Sequence, residues 1–308
     1  MKVVSASPHL HSGASTQRIM LDVIIAMLPA MGFSFWAFGL NAVIVTLTSV
    51  ASCVVLEWAI TRFLLKQQST ICDLSAVVTG MLLAFNLPSG ISPLIVVVGA
   101  LVAIGVGKMS FGGIGRNPFN PALVGRVFLL ISFPVQMTTY TGLDGVTGAT
   151  PLAMLKEGGA DALPQLFDMM FGMTGGSLGE VSGVLLLLGG LYLIIRKVIT
   201  WHIPVIVLGT MLVFNEILWF SGVESASTLF HLFAGGAILG AVFMATDYSS
   251  SPMTKKGVIV YAIGIGLITM FIREWGAYPE GMSFAILIMN ATVPLLNMYL
   301  KPKRFGKK

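Results

Sequence analysis

The sequence predicts an all-α polytopic membrane protein with about ten transmembrane helices in two inverted repeats of five. Three observations carry this reading. The 308-residue chain is 56% hydrophobic and only 10% charged, with a mean hydropathy of +0.89, whereas a soluble domain carries roughly 25% charged residues. Long uncharged runs recur along the whole chain, each suited to a hydrocarbon core roughly 30 Å thick. Finally, Lys and Arg fall almost entirely on alternate loops, the asymmetry that orients membrane proteins.

The segments, in order, are 20–38, 41–63, 71–87, 92–107, 121–134, 181–195, 202–220, 228–246, 257–272 and 282–300. The first follows a polar stretch that ends at Arg18, and no A-x-A site follows it, so no cleavable signal is expected. The third and fifth are short, and the third opens on polar or small residues: Asp73, Ser75, Thr79 and Gly80. The eighth carries Gly235, Gly236 and Gly240. With the N-terminus inside, fifteen of the eighteen Lys and Arg lie on inside loops and tails, Lys156 and Arg273 lie outside, and Arg126 lies within the fifth segment. A missed span would swap the sides of every later loop and destroy that asymmetry. Both termini are therefore expected on the cytoplasmic side of a bacterial inner membrane. The net charge of +5 is explained by this placement and needs no nucleic-acid partner; the partner composition implies is membrane lipid.

An odd number of spans per half forces the halves into opposite orientation. Short or Gly-broken segments at matching positions are the sequence mark of inverted repeats with a site at their interface; small residues also simply let helices approach. The chain thus reads as one membrane domain, 1–308: a first repeat over 1–134, an outside segment over 135–180, a second repeat over 181–300 and a basic tail over 301–308.

The long outside segment holds Thr138, Thr139, Tyr140, Thr141 and Gly142, then the run Asp144-Gly145-Val146-Thr147-Gly148-Ala149-Thr150-Pro151. Small residues there expose backbone and threonine hydroxyls, and an exposed hydroxyl can accept a covalent group. Thr150 before Pro151 also suits a helix N-cap, so an ordinary capped turn is the alternative. Inside, Gly115-Arg116-Asn117-Pro118-Phe119-Asn120-Pro121 gives turns before segment five. Its amides suit freed backbone groups or a planar polar ligand. A third constellation, Phe243 to Asp247 with Ser251-Pro252-Met253-Thr254, closes segment eight.

Acids within spans are costly and draw attention. Asn215-Glu216 reads as the better candidate for a cation or proton path, and Glu57 as an interfacial group. Cys53 and Cys72 read as buried free thiols, too few for a four-cysteine cluster. No histidine pair has metal-ligand spacing, so no metal site is expected. Gly113-x-Gly115 lies in a helical membrane context and is no nucleotide fingerprint.

Over nearly its whole length the chain resembles the RnfD family of Rnf electron-transport complexes, relatives of the NqrB component of the sodium-pumping NADH:quinone reductase. The resemblance is carried by Ser7-Pro8-His9, by Asp73-Leu74-Ser75-Ala76 with Thr79-Gly80, by the turn from Gly115 to Ala122, and by Met244 to Asp247 with Ser251 to Thr254. Its most specific part is Asp144-x-x-Thr147-Gly148-Ala149-Thr150, similar to the motif of a flavin transferase that joins FMN through its phosphate to threonine. The resemblance implies that Thr150 is the acceptor and that Asp144, Thr147, Gly148 and Ala149 are read by the transferase. It further implies a fold similar to urea transporters and a second, non-covalent flavin, riboflavin, in the cytoplasmic half. Asn117, Asn120, Asp247 and Thr254 are the residues expected around it.

The function implied is electron transfer between partner subunits carrying flavin and iron–sulfur centres. The complex couples ferredoxin and NAD chemistry to Na+ or H+ movement, and this chain is a translocase component without a catalytic residue of its own. A solute channel of the same architecture and a purely structural scaffold are the competing classes. Neither has a use for the Asp144–Thr150 motif.

Overall fold

A computed structural model describes residues 15–67, 70–142, 147–157, 164–172, 174–180, 182–222 and 226–301. Among the described residues the chain is helical apart from one small ribbon, and six helices are long and apolar enough to cross a membrane.

The first half begins with α1, Thr16–Phe38, capped by the Ser15 hydroxyl, and α2, Leu40–Ala59, which runs on as a π-turn over Ile60–Leu64. Then come α3, Ser75–Phe85, and α4, Pro93–Leu101, which ends in a second π-turn over Val102–Val106. Next is α5, Pro121–Ser132, with Asn120 as N-cap and Pro121 in the first turn, where its missing N–H costs nothing. Short helices α6, Pro134–Thr138, α7, Pro151–Lys156, and α8, Leu166–Phe171, follow within residues 134–171. Between α6 and α7 lies an antiparallel ribbon of β1, Tyr140–Thr141, and β2, Thr147–Gly148, pairing Tyr140 with Gly148.

The second half comprises α9, Gly183–Ile195, α10, His202–Phe220, α11, Thr228–Phe233, α12, Ala237–Leu239 with a π-turn over Gly240–Met244, α13, Lys255–Trp275, and α14, Met282–Tyr299. Each segment expected from hydropathy meets a helix here, with two differences. The third helix has only 11 residues, because Ile71–Asp73 forms a separate 3-10 turn and Leu74 adopts φ 62. The eighth is broken between α11 and α12, where Gly235 and Gly236 hold φ 65 and 63, a left-handed backbone that glycine adopts without penalty.

Packing follows the same order in each half: α2 lies against α3 and α4, and α10 lies against α11 and α13. Across the halves α1 packs on α9 and α5 on α14. The common core includes Leu83 and Phe85 of α3, Leu123 and Leu129 of α5, Phe243 and Met244, and Tyr261. Large apolar side chains such as Leu94, Ile195 and Phe220 point outward instead, a surface suited to lipid and not to water.

Candidate functional site: two chambers at opposite ends

Two chambers, named outer and inner after the orientation expected from the sequence, lie at the two ends of α5; the outer one is built around α7. Thr150 takes the extended conformation of an N-cap, and its Oγ1 accepts a hydrogen bond from the Ala153 N–H at 3.3 Å. The capped turn anticipated from Thr150-Pro151 is therefore present. Gly148 and Ala149 before it are exposed, while Thr150 itself is only 5% exposed. Asp144 lies outside the described residues, and Thr147 is placed in β2. Thr150 borders a cavity of about 210 Å³ whose lining includes Tyr140, Ala149, Glu157, Tyr278 and Glu280. Glu280 is buried and fixed from behind by an ion pair with Arg126, which also bonds Ser283. The Tyr140 hydroxyl donates to Glu280 Oε1 at 3.3 Å. Lys156, at the end of α7, donates to the carbonyls of Gly276 and Tyr278, the latter at 3.0 Å, and so clamps α7 onto the end of α13. Partial burial lowers the Lys156 ammonium from the usual lysine range, with Glu274 opposing.

The inner chamber is a cleft between the halves. It gathers Asn117, Asn120 and Asp247, three of the four residues expected there, with Ser75, Thr79 and Lys108. Its apolar walls include Ile19, Val78, Leu82 and Phe243. Asn120 ties the halves together: its Oδ1 accepts from Ala122 N at 3.1 Å to cap α5, and its Nδ2 donates to the Met244 carbonyl at 3.2 Å. Asp247 Oδ2 accepts from the hydroxyls of Ser249 at 2.9 Å and Ser250 at 3.0 Å. Burial raises its carboxyl from the ordinary range, and these hydroxyls with the Asn117 amide pull it back. Thr254 is not in the cleft; it caps α13, accepting from Gly257 N at 3.1 Å.

Sequence reading missed the group that dominates the cleft's wall. Lys108, counted among loop cations, is 2% exposed, and its Nζ lies 2.5 Å from Glu57 Oε2 and 2.6 Å from Ser75 Oγ. Thr70 donates to the other Glu57 oxygen at 2.8 Å. Glu57 is thus fully buried and paired, not interfacial. Glu216 is the exposed one, accepting from Thr228 at 2.5 Å. Cys53 is buried as expected, but Cys72 is exposed, because the 3-10 turn that holds it lies outside the α3 packing face. Among the described residues no His, Cys, Asp and Glu cluster could hold a metal ion.

The residues at both chambers suit a flavin by donor chemistry. The inner cleft sets amides, hydroxyls and a carboxylate against apolar walls, the pattern of a cofactor pocket. Its free space, about 90 Å³, is less than the roughly 300–1,000 Å³ of small-molecule pockets, so its walls must part to admit one. The outer cavity offers two tyrosines and a fixed carboxylate beside a threonine hydroxyl.

Fold and chambers define a multi-pass helical membrane protein with polar sites opening at opposite ends of one bundle. The chain belongs to the NQR2, RnfD, RnfE family, whose model matches residues 3–306. It is 48% identical to the D subunit of the Na(+)-translocating ferredoxin:NAD(+) oxidoreductase complex of Acetobacterium woodii, over 98% of this chain and 95% of that protein. It is 42% identical to the D subunit of the proton-translocating ferredoxin:NAD(+) oxidoreductase complex of Clostridium ljungdahlii, over 99% and 96%. The D subunit of the ion-translocating oxidoreductase complex of Stutzerimonas stutzeri is 38% identical, over 96% and 93%.

Proposed function

We propose that this chain is the D subunit of an ion-translocating ferredoxin:NAD+ oxidoreductase complex of a bacterial cytoplasmic membrane. It carries FMN as a phosphoester on Thr150 and riboflavin, held without a covalent bond, in the inner cleft. Partner subunits hold the iron–sulfur and nucleotide sites this sequence lacks. The termini and the inner cleft face the cytoplasm, and the Thr150 loop faces outward. The two halves form inverted repeats, supported by the contacts of α1 with α9 and α5 with α14: corresponding elements meet each other, as elements beside a twofold axis do.

The observation that carries the proposal is the run Asp144 to Thr150, whose last two residues, Ala149 and Thr150, border a cavity. A flavin transferase would read Asp144, Thr147, Gly148 and Ala149. To reach the hydroxyl it must release the Thr150 cap, at about 1 kcal/mol, and the two-residue ribbon before it adds little resistance. Bound flavins supply one- and two-electron chemistry that side chains cannot. This chain's own residues position and shield them. Tyr140 and Tyr278 give the outer cavity aromatic walls, and Arg126 fixes the Glu280 carboxylate that borders it. Asn117 and Asp247 offer a donor and an acceptor to a planar polar ring in the inner cleft.

The test is in-gel flavin fluorescence of the denatured protein, co-expressed with its flavin transferase. Wild type is expected to fluoresce and Thr150→Ala to be dark. A dark wild type beside an active transferase would remove the redox reading, and solute-flux assays would follow.

A further inference from the structure

The mouth of the inner cleft lies where α1 begins and α9 ends, and a cavity of about 380 Å³ there is lined by Arg18, Asp22, Arg196, Lys197 and Tyr248 among others. Three cations face one carboxylate. Asp22 is already engaged by Arg196 Nη2 at 3.3 Å and by the Tyr192 hydroxyl at 3.0 Å. Among the described residues neither Arg18 nor Lys197 forms an ion pair. Lys197 also holds φ 58, a backbone that glycine would adopt at lower cost. Two bonds keep it so, Lys197 N to Ile194 O at 3.0 Å and Val198 N to Leu193 O at 2.9 Å. The chain thus accepts strain to set at this rim an ammonium that has no ion pair among the described residues.

We propose that this mouth binds the phosphate of an anionic membrane lipid. The apolar surface below it decides for a lipid over a dissolved phosphate. On α1 the exposed residues Leu21, Ile25 and Leu28 continue the face that Arg18 starts, at the spacing of one helical stripe. On α9 the exposed Leu188, Leu191 and Ile195 lead to Arg196 and Lys197. The two helices pack together, and each carries an exposed apolar stripe, fit for an acyl chain, that ends in a cation. Trp201 is exposed close by, its ring stacked on His202 at 4.2 Å, as interfacial aromatics are. Basic pockets between helix ends at a cytoplasmic face take anionic headgroups. The proposal does not depend on either flavin.

The assembled complex, in nanodiscs of phosphatidylcholine with a trace of labelled phosphatidylglycerol, provides the test. Wild type is compared with R18Q/K197Q and with the charge-keeping R18K/K197R. Both side chains are exposed, so the variants assemble normally by gel filtration. The neutral variant is expected to bind labelled phosphatidylglycerol roughly thirtyfold more weakly, and the charge-keeping one nearly as wild type. Native mass spectrometry of wild type should show phosphatidylglycerol retained and phosphatidylcholine lost. Equal binding by wild type and the neutral variant overturns the proposal. Displacement of the label by millimolar inorganic phosphate or riboflavin 5′-phosphate also overturns it, in favour of a site for a soluble phosphate.

Discussion

Lys108 and Glu57 are buried together at 2.5 Å, each satisfied by a further hydroxyl, Ser75 and Thr70. Such a pair contributes little net stability, but losing one partner strands a charge in a low-dielectric interior, at about 3–5 kcal/mol. Lys108→Met should therefore lower stability by that amount, read from thermal unfolding in detergent. Adding Glu57→Gln should restore much of it, because no charge is then left unpaired. Equal single effects that simply add in the double variant would show that the two groups do not act as a pair. Thr150 separates two roles in the same way. Thr150→Ser keeps both hydroxyl and cap, so it should retain stability and, if serine is accepted by the transferase, fluorescence. Thr150→Ala should lose the cap, about 1 kcal/mol, whether or not flavin is attached.

At the scale of elements, local signals predict local structure. Hydropathy locates the helices, and Asn120-Pro121 and Thr150-Pro151 announce the starts of α5 and α7, because caps are written in adjacent residues. Asn117, Asn120 and Asp247 meet in the cleft because each flanks a helix end that faces it. What could not be read are pairs far apart in sequence: Glu57 with Lys108, and Arg126 with Glu280 some 154 residues later. No periodicity encodes such a pairing; only the packing of α2 on α4 and α5 on α14 creates it. Gly80 illustrates that packing. A β-carbon there would lie 2.7 Å from Val50 Cα, backbone that cannot yield without moving α2. Gly80→Ala should cost about 1–3 kcal/mol and shift Thr79 out of the cleft wall. Unchanged unfolding and unchanged cleft ligand binding would show that α2 and α3 separate easily.

For the whole molecule, orientation is the property on which the functional reading turns, and it does not fix the coupled ion: relatives 48% and 42% identical are named for sodium and for protons respectively. The structure gathers Arg18, Lys108, Arg196 and Lys197 around one end, and Thr150, Glu157 and Glu280 around the other. By the positive-inside rule the proposed function turns the first end toward the cytoplasm, and that orientation can be tested. The two cysteines make this measurable without disturbing the core, since Cys53 is buried and Cys72 exposed at the basic end. A membrane-impermeant maleimide should label wild type in inverted vesicles and leave it unlabelled in spheroplasts. Cys72→Ser should abolish that signal, because the remaining thiol is shielded in the α2 core. Introducing Glu157→Cys into that background, at an exposed outer position, should reverse the pattern, with labelling in spheroplasts alone. Labelling of both positions from the same side would mean that the two chambers do not face opposite compartments, and a path for electrons from one face to the other would lose its geometric basis.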